Sequence, residues 1–175
     1  MKRLQITTLV LFLLVFVTST ADAQKKSTRR TTTKKTTATR VLPPLAVRTA
    51  RGKVEIQLSN VNDFVTKLGP IAQGLETADA DRKAGNLSAK TAASIEASKS
   101  KLVDAIRILR DGLSVLESEF RVKTELKKYL INIQGITDLA AESEDSAIAG
   151  KFVAAKEPLR EVSKKLTDTL AAMPR

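Results

Sequence analysis

Apolar side chains recur at alternating steps of four and three from Val54 to the C-terminus, and the recurrence falls into four runs. Val54, Leu58, Val61, Val65, Leu68, Ala72 and Leu75 form the first. Ile95, Leu102, Ile106, Leu109, Leu113, Leu116 and Phe120 form the second, led in by Ala89, Ala92 and Ala93. Leu126, Leu130, Ile133, Thr137 and Ala140 form the third. Ile148, Phe152, Ala155, Leu159, Val162, Leu166, Leu170 and Met173 form the fourth. That spacing lays one apolar stripe along each of four amphipathic helices. It predicts an all-α domain at 51–175, an antiparallel up-down-up-down four-helix bundle with coiled-coil-like packing. Strand-like alternation occurs only at Val54–Leu58, too briefly to compete.

Turn signals divide the runs. Gly85 and Asn86 break the chain after the first, and Ser88 is a suitable N-cap for the second. The polar stretch Glu142–Ser146 reads as the turn before the fourth helix. Between the second and third runs no Gly or Pro occurs. Continuing the stripe past Phe120 would bury Lys123 and Lys127, so a turn near 121–124 is expected, with Thr124 as its cap. Without that turn, one rod would run from Ser88 to Glu142. Pro70, after Gly69, and Pro158 should each kink or stop the helix that holds them, because proline removes a donor and clashes with the preceding turn. Leu109 and Leu113, mid-stripe, should be deeply buried.

The N-terminus has a different character. Lys2 and Arg3 precede the unbroken apolar run Leu9–Val17, and Ala21-Asp-Ala23 offers a small-x-small cleavage site. Segment 1–23 therefore reads as an export signal cleaved after Ala23. The run is shorter than the roughly 20 residues a spanning helix needs, so a periplasmic or secreted mature chain is expected.

Residues 24–40 carry no large apolar side chain, and seven of these 17 positions are Thr. Such a segment has nothing to bury against its conformational entropy, so disorder is expected at 24–50, with Pro43 and Pro44 as a stiff linker. Charge follows the same division. Of the formal +11, segment 24–53 holds ten bases and no acid, whereas Val54–Arg175 holds 18 of each. Lys25, Lys26, Arg29, Arg30, Lys34, Lys35 and Arg40 are the candidate polyanion-binding residues of the tail. An exported chain carrying them would meet an anionic envelope polymer or lipid headgroups rather than nucleic acid.

Composition removes much chemistry. Cys, His and Trp are absent, which excludes Cys/His zinc sites, haem-His ligation, Ser-His-Asp triads, Cys-His pairs and disulfides. Asp79-x-Asp81 opens like a calcium loop, but Lys83 stands at the third ligand position, Gly85 comes one place late and Lys90 stands where the bidentate Glu belongs. No catalytic residue, metal ligand or cofactor is expected. Asp63 with Lys67, Arg107 with Asp111, Glu117 with Arg121 and Glu161 with Lys165 read as exposed i,i+4 pairs. Arg121, Lys123, Lys127 and Lys128 form a basic patch diluted by Glu119 and Glu125. Phe64, Phe120 and Phe152 fit the core and Tyr129 flanks it, while Asn86-Leu-Ser88 matches the N-glycosylation pattern. These readings imply a non-enzymatic binding or scaffold protein. The alternative is a small-molecule or lipid carrier with a cleft between kinked helices.

Overall fold

The computed structural model describes residues 42–175, so the expected export signal and the seven tail cations lie outside the described residues. Among the described residues the chain is all-helical, without strands. Its elements are α1 (Leu45–Lys83), α2 (Ala89–Val122), a 3-10 helix (Thr124–Tyr129), α3 (Leu130–Ile133), α4 (Ile136–Ile148) and α5 (Lys156–Ala172). The principal packing pairs are α2 with α4, α1 with α5, α4 with α5 and, more loosely, α1 with α2.

The apolar stripes form one core. Phe120, Ile106, Leu113, Val61, Ile133, Leu159 and Leu166 are all fully enclosed. Leu113 is fully buried as expected, but Leu109 is only partly buried, contrary to expectation. The helical domain also begins earlier than residue 51. The Pro44 carbonyl accepts the Val47 and Arg48 N–H groups at 3.0 and 3.1 Å, opening α1 inside the expected linker. Val47 and Ala50 are buried, so the first stripe extends backward from Val54 by steps of four and three. The interleaved Arg48 and Arg51 made these turns look like tail.

The first connection follows its signals. Gly85 adopts a left-handed φ of 76°. Asn86 N–H donates to the Asp81 carbonyl and Gly85 N–H to that of Arg82, closing a Schellman turn. Ser88 then caps α2, its hydroxyl accepting the Thr91 N–H at 3.2 Å. The exposed Asn86 of the glycosylation pattern sits in this loop. The second connection also falls where expected, with Lys123 in extended conformation after Val122. Thr124 provides no side-chain cap, and the 3-10 helix starts directly.

The second half departs from expectation. Glu142–Ser146 is not a turn but lies inside α4. The chain reverses instead at Gly150, whose left-handed φ of 75° permits a second Schellman turn: Lys151 N–H to the Ser146 carbonyl, Gly150 N–H to that of Ala147. The expected third helix is interrupted at Gln134–Gly135, where Gly135 takes a φ of 85° and starts α4. The continuous rod from Ser88 to Glu142 is thereby ruled out for this chain.

Both interior prolines are accommodated. Pro70 is exposed within an uninterrupted α1, and Thr66, whose carbonyl its missing N–H leaves without that partner, is an exposed residue too. Pro158 is the third residue of α5, where a backbone N–H would have no helical partner anyway. It marks a helix start, not a kink.

Leu113→Ala should cost about 2–5 kcal/mol in denaturant unfolding, and Leu109→Ala clearly less, because only the first leaves a cavity in enclosed packing. Equal losses would show that Leu109 is as confined as Leu113.

Candidate functional site

Three of the ten bases assigned by composition to the tail segment belong to α1. Arg51 donates from Nη1 to the Leu170 and Met173 carbonyls at 2.7 and 2.9 Å, satisfying orphan groups at the end of α5. Its Nε meets Glu55 at 3.1 Å. Lys53 bridges to Glu119 across α1 and α2 at 2.6 Å. Arg48 is exposed on the first turns. Two of these cations are therefore structural clasps.

Beside them lies the basic patch after α2. A 3-10 helix repeats every three residues, so Leu126 and Tyr129 turn inward together and are buried. Lys127 and Lys128, between them, face solvent, with the Lys128 ammonium 4.9 Å from the Tyr129 ring centre. Tyr129 is a core residue, where a flanking position was expected. Lys123 and Lys53 grip the two oxygens of Glu119. Burial raises the carboxyl pKa of Glu119, but hydrogen bonds from Lys123 and Lys53 outweigh it and hold it below the usual range.

Glu117 is the largest departure from the sequence reading. It pairs with Arg121 at 2.5 Å as expected, yet it is 1% exposed rather than on a wet face. One oxygen accepts the Gly135 N–H at 2.9 Å. The other accepts the Thr137 N–H at 3.0 Å and its hydroxyl at 2.7 Å. Burial pushes the Glu117 pKa up, but the bonds from Gly135 and Thr137 and the charge of Arg121 bring it below the usual value. Glu144, placed by the sequence in a solvated turn, is also buried. Arg107 Nε donates to its Oε1 at 2.9 Å, and Arg110 Nη1 lies 2.6 Å from Oε2, off the hydrogen-bonding axis. Arg107 thus pairs with Asp104 and Glu144, not with Asp111.

A cleft of about 580 Å³ opens where α1 turns into α2, against the α4–α5 corner. Asp79 organises it: Lys99 bonds one oxygen closely, Arg82 joins at 3.0 Å and Lys83 holds the other oxygen at 2.9 Å. Those hydrogen bonds, Lys99 first, hold the Asp79 carboxyl far below its ordinary range despite slight desolvation. Burial lowers the Lys99 pKa, but Asp79 and Glu96 more than reverse that. Each cation here already faces a carboxylate, and the arrangement pins the helical hairpin. Among the described residues no group of three acids could hold a metal ion.

The remaining feature is apolar. Ile108, Val115 and Val122 stand seven residues apart on α2 with exposures of 73%, 69% and 74%. Two shallow grooves along the loosely packed α1–α2 seam involve Ile56, Phe64, Ile108 and Val115. Gly112 forms their shared floor, where a Cβ would come within 3.1 Å of Gln57 Nε2. Neither groove is lined by Pro70 or Pro158.

Glu117→Ala should lower stability by about 3 kcal/mol, since it strands two part-buried N–H groups at the start of α4. Because its folded pKa lies below 4.5, Glu117 contributes stability above that pH and loses it as pH falls through the folded value. The acid limb of a pH–stability curve should therefore be shallower in Glu117→Gln. Asp79→Asn should speed amide hydrogen exchange in 76–83 and 89–99 while leaving 156–172 unchanged; uniform acceleration would mean a global role. No protein-family model matches this chain, and neither a curated protein nor a solved structure matches it.

Proposed function

We propose that the chain is an exported, non-enzymatic helical protein that acts by binding or scaffolding, and that its basic tail holds it at an anionic envelope component. One observation carries the binding reading: three β-branched side chains lie exposed in a seven-residue row over a filled core. A partner helix could lay its own apolar face against this row. The helix order supports an up-down-up-down bundle, because each main helix packs against its neighbour around the ring α1, α2, α4, α5. Export rests on Lys2, Arg3, the run Leu9–Val17 and Ala21-Asp-Ala23; no helix among the described residues is long and apolar enough to cross a membrane.

The carrier reading is the weaker one. It calls for an enclosed apolar cavity beside the prolines, whereas Pro158 is buried in packed core and Pro70 faces water.

Replacing Lys25, Lys26, Arg29, Arg30, Lys34, Lys35 and Arg40 with Gln should weaken attachment of the exported protein to envelope fractions. The unaltered protein should also detach steeply as salt rises, because exposed charges are screened beyond about 8 Å at physiological ionic strength. Attachment indifferent to both changes would sink the tether. Native mass spectrometry of protein from its own envelope separates the other two readings: a carrier retains a small-molecule adduct, a scaffold a macromolecular one.

A further inference from the structure

The folded domain is polarised in charge, and its basic end is the one at which α1 begins. Arg48, Arg51 and Lys53 come from α1, Arg121 and Lys123 from the end of α2, Lys127 and Lys128 from the 3-10 helix, and Arg175 from the C-terminus. These elements meet: Pro174 and Arg175 line a recess with Arg48 and Arg51, while Pro174, Leu42, Pro44 and Lys128 line another. Against the eight bases stand Glu55, Glu117, Glu119 and Glu125. Glu117 is enclosed, and Glu55 and Glu119 are engaged by Arg51, Lys53 and Lys123. Arg48, Lys127 and Lys128 are exposed and bridge to no carboxylate among the described residues. The opposite end, residues 76–104 and 142–161, holds ten acids and eight bases.

Apolar side chains stand among these cations. Leu42, Leu45 and Val122 are 65%, 70% and 74% exposed. They are held in place, since Val47, Ala50, Leu126 and Tyr129 anchor the same segments in the core. A soluble polyanion would engage the bases and leave the leucines in water. A bilayer with anionic headgroups engages both, through headgroup attraction and shallow insertion of apolar side chains. We propose that this end of the domain is a docking surface for an anionic lipid bilayer, with Arg48, Lys127 and Lys128 meeting headgroups around inserted Leu42 and Leu45. The proposal rests on the reading that the protein works at an anionic envelope surface, and it places part of that contact on the folded domain.

The test is co-sedimentation of the exported protein, its N-terminus checked by intact mass, with vesicles of phosphatidylcholine alone or rich in phosphatidylglycerol. Binding to a heparin column serves as the soluble-polyanion arm. The triple variant Arg48→Gln, Lys127→Gln, Lys128→Gln should lose about tenfold or more in affinity for phosphatidylglycerol vesicles with the tail intact. Lys127→Glu alone, at a solvent-facing site, repeats this readout should the triple variant melt early. Leu42→Ser with Leu45→Ser should bind the vesicles more weakly and keep its heparin elution. Unchanged vesicle binding by the charge variants, or no vesicle binding by the unaltered protein, overturns the proposal. Vesicle binding unaffected by the leucine changes overturns it in favour of a soluble polyanion. The variant with seven tail cations replaced reports on the tail alone: its unchanged binding counts against the tether while leaving the domain surface standing.

Discussion

The Glu117 carboxylate is the constraint on which the second half of the molecule depends. α2 ends at Val122, and the chain must cross over α2 and present α4 to it within a dozen residues. It does so through a 3-10 helix, a single α-helical turn and a left-handed glycine, none of which has much stability alone. One buried acid gathers the ends of this path. Its oxygens take up the N–H groups of Gly135 and Thr137 that α4 cannot satisfy internally, and its negative charge sits at the positive end of that helix. Burying the charge is costly, and three donors together with Arg121 offset that cost. With this anchor in place, Leu126, Tyr129 and Ile133 can enter the core, and the lysines between them point outward.

The charged groups divide by task. Arg51, Lys53, Arg107, Arg110 and Lys99 each join one element to another, so they act as clasps between helices. Arg48, Lys127 and Lys128 bridge to no carboxylate among the described residues. Cations that clasp are neutralised where they stand; those left over define where the domain carries a field.

The four-and-three spacing was legible because a helix repeats every 3.6 residues whatever its surroundings. Helix placement was legible at the turn from α1 to α2, where Gly85, Asn86 and Ser88 act locally, and at the Lys123 break, where phase alone showed the stripe ending. It failed for α4. Glu142–Ser146 looks like a turn because it is polar, but Ser143 and Glu144 are inward and polar together. Ser143 donates to the Ala155 carbonyl, and Glu144 meets two arginines of α2. A buried acid with distant partners has the same one-letter code as a solvated one. Gly135 and Gly150 were the available signals for the true breaks, since each takes a positive φ that other residues avoid.

The sequence by itself determined the all-helical class, the stripes that make the core, the first hairpin and the segregation of ten bases into one stretch, because these follow from local periodicity and composition. Only the tertiary structure decided which charges clasp one helix to another and which bridge to no carboxylate among the described residues. It also decided that Glu117 is internal, that α1 begins at Leu45, and that Leu42, Leu45 and the exposed lysines share one end. The burial of Glu117 and the meeting of Leu42 with Lys128 depend on residues well apart in the chain being brought together, which no local pattern carries.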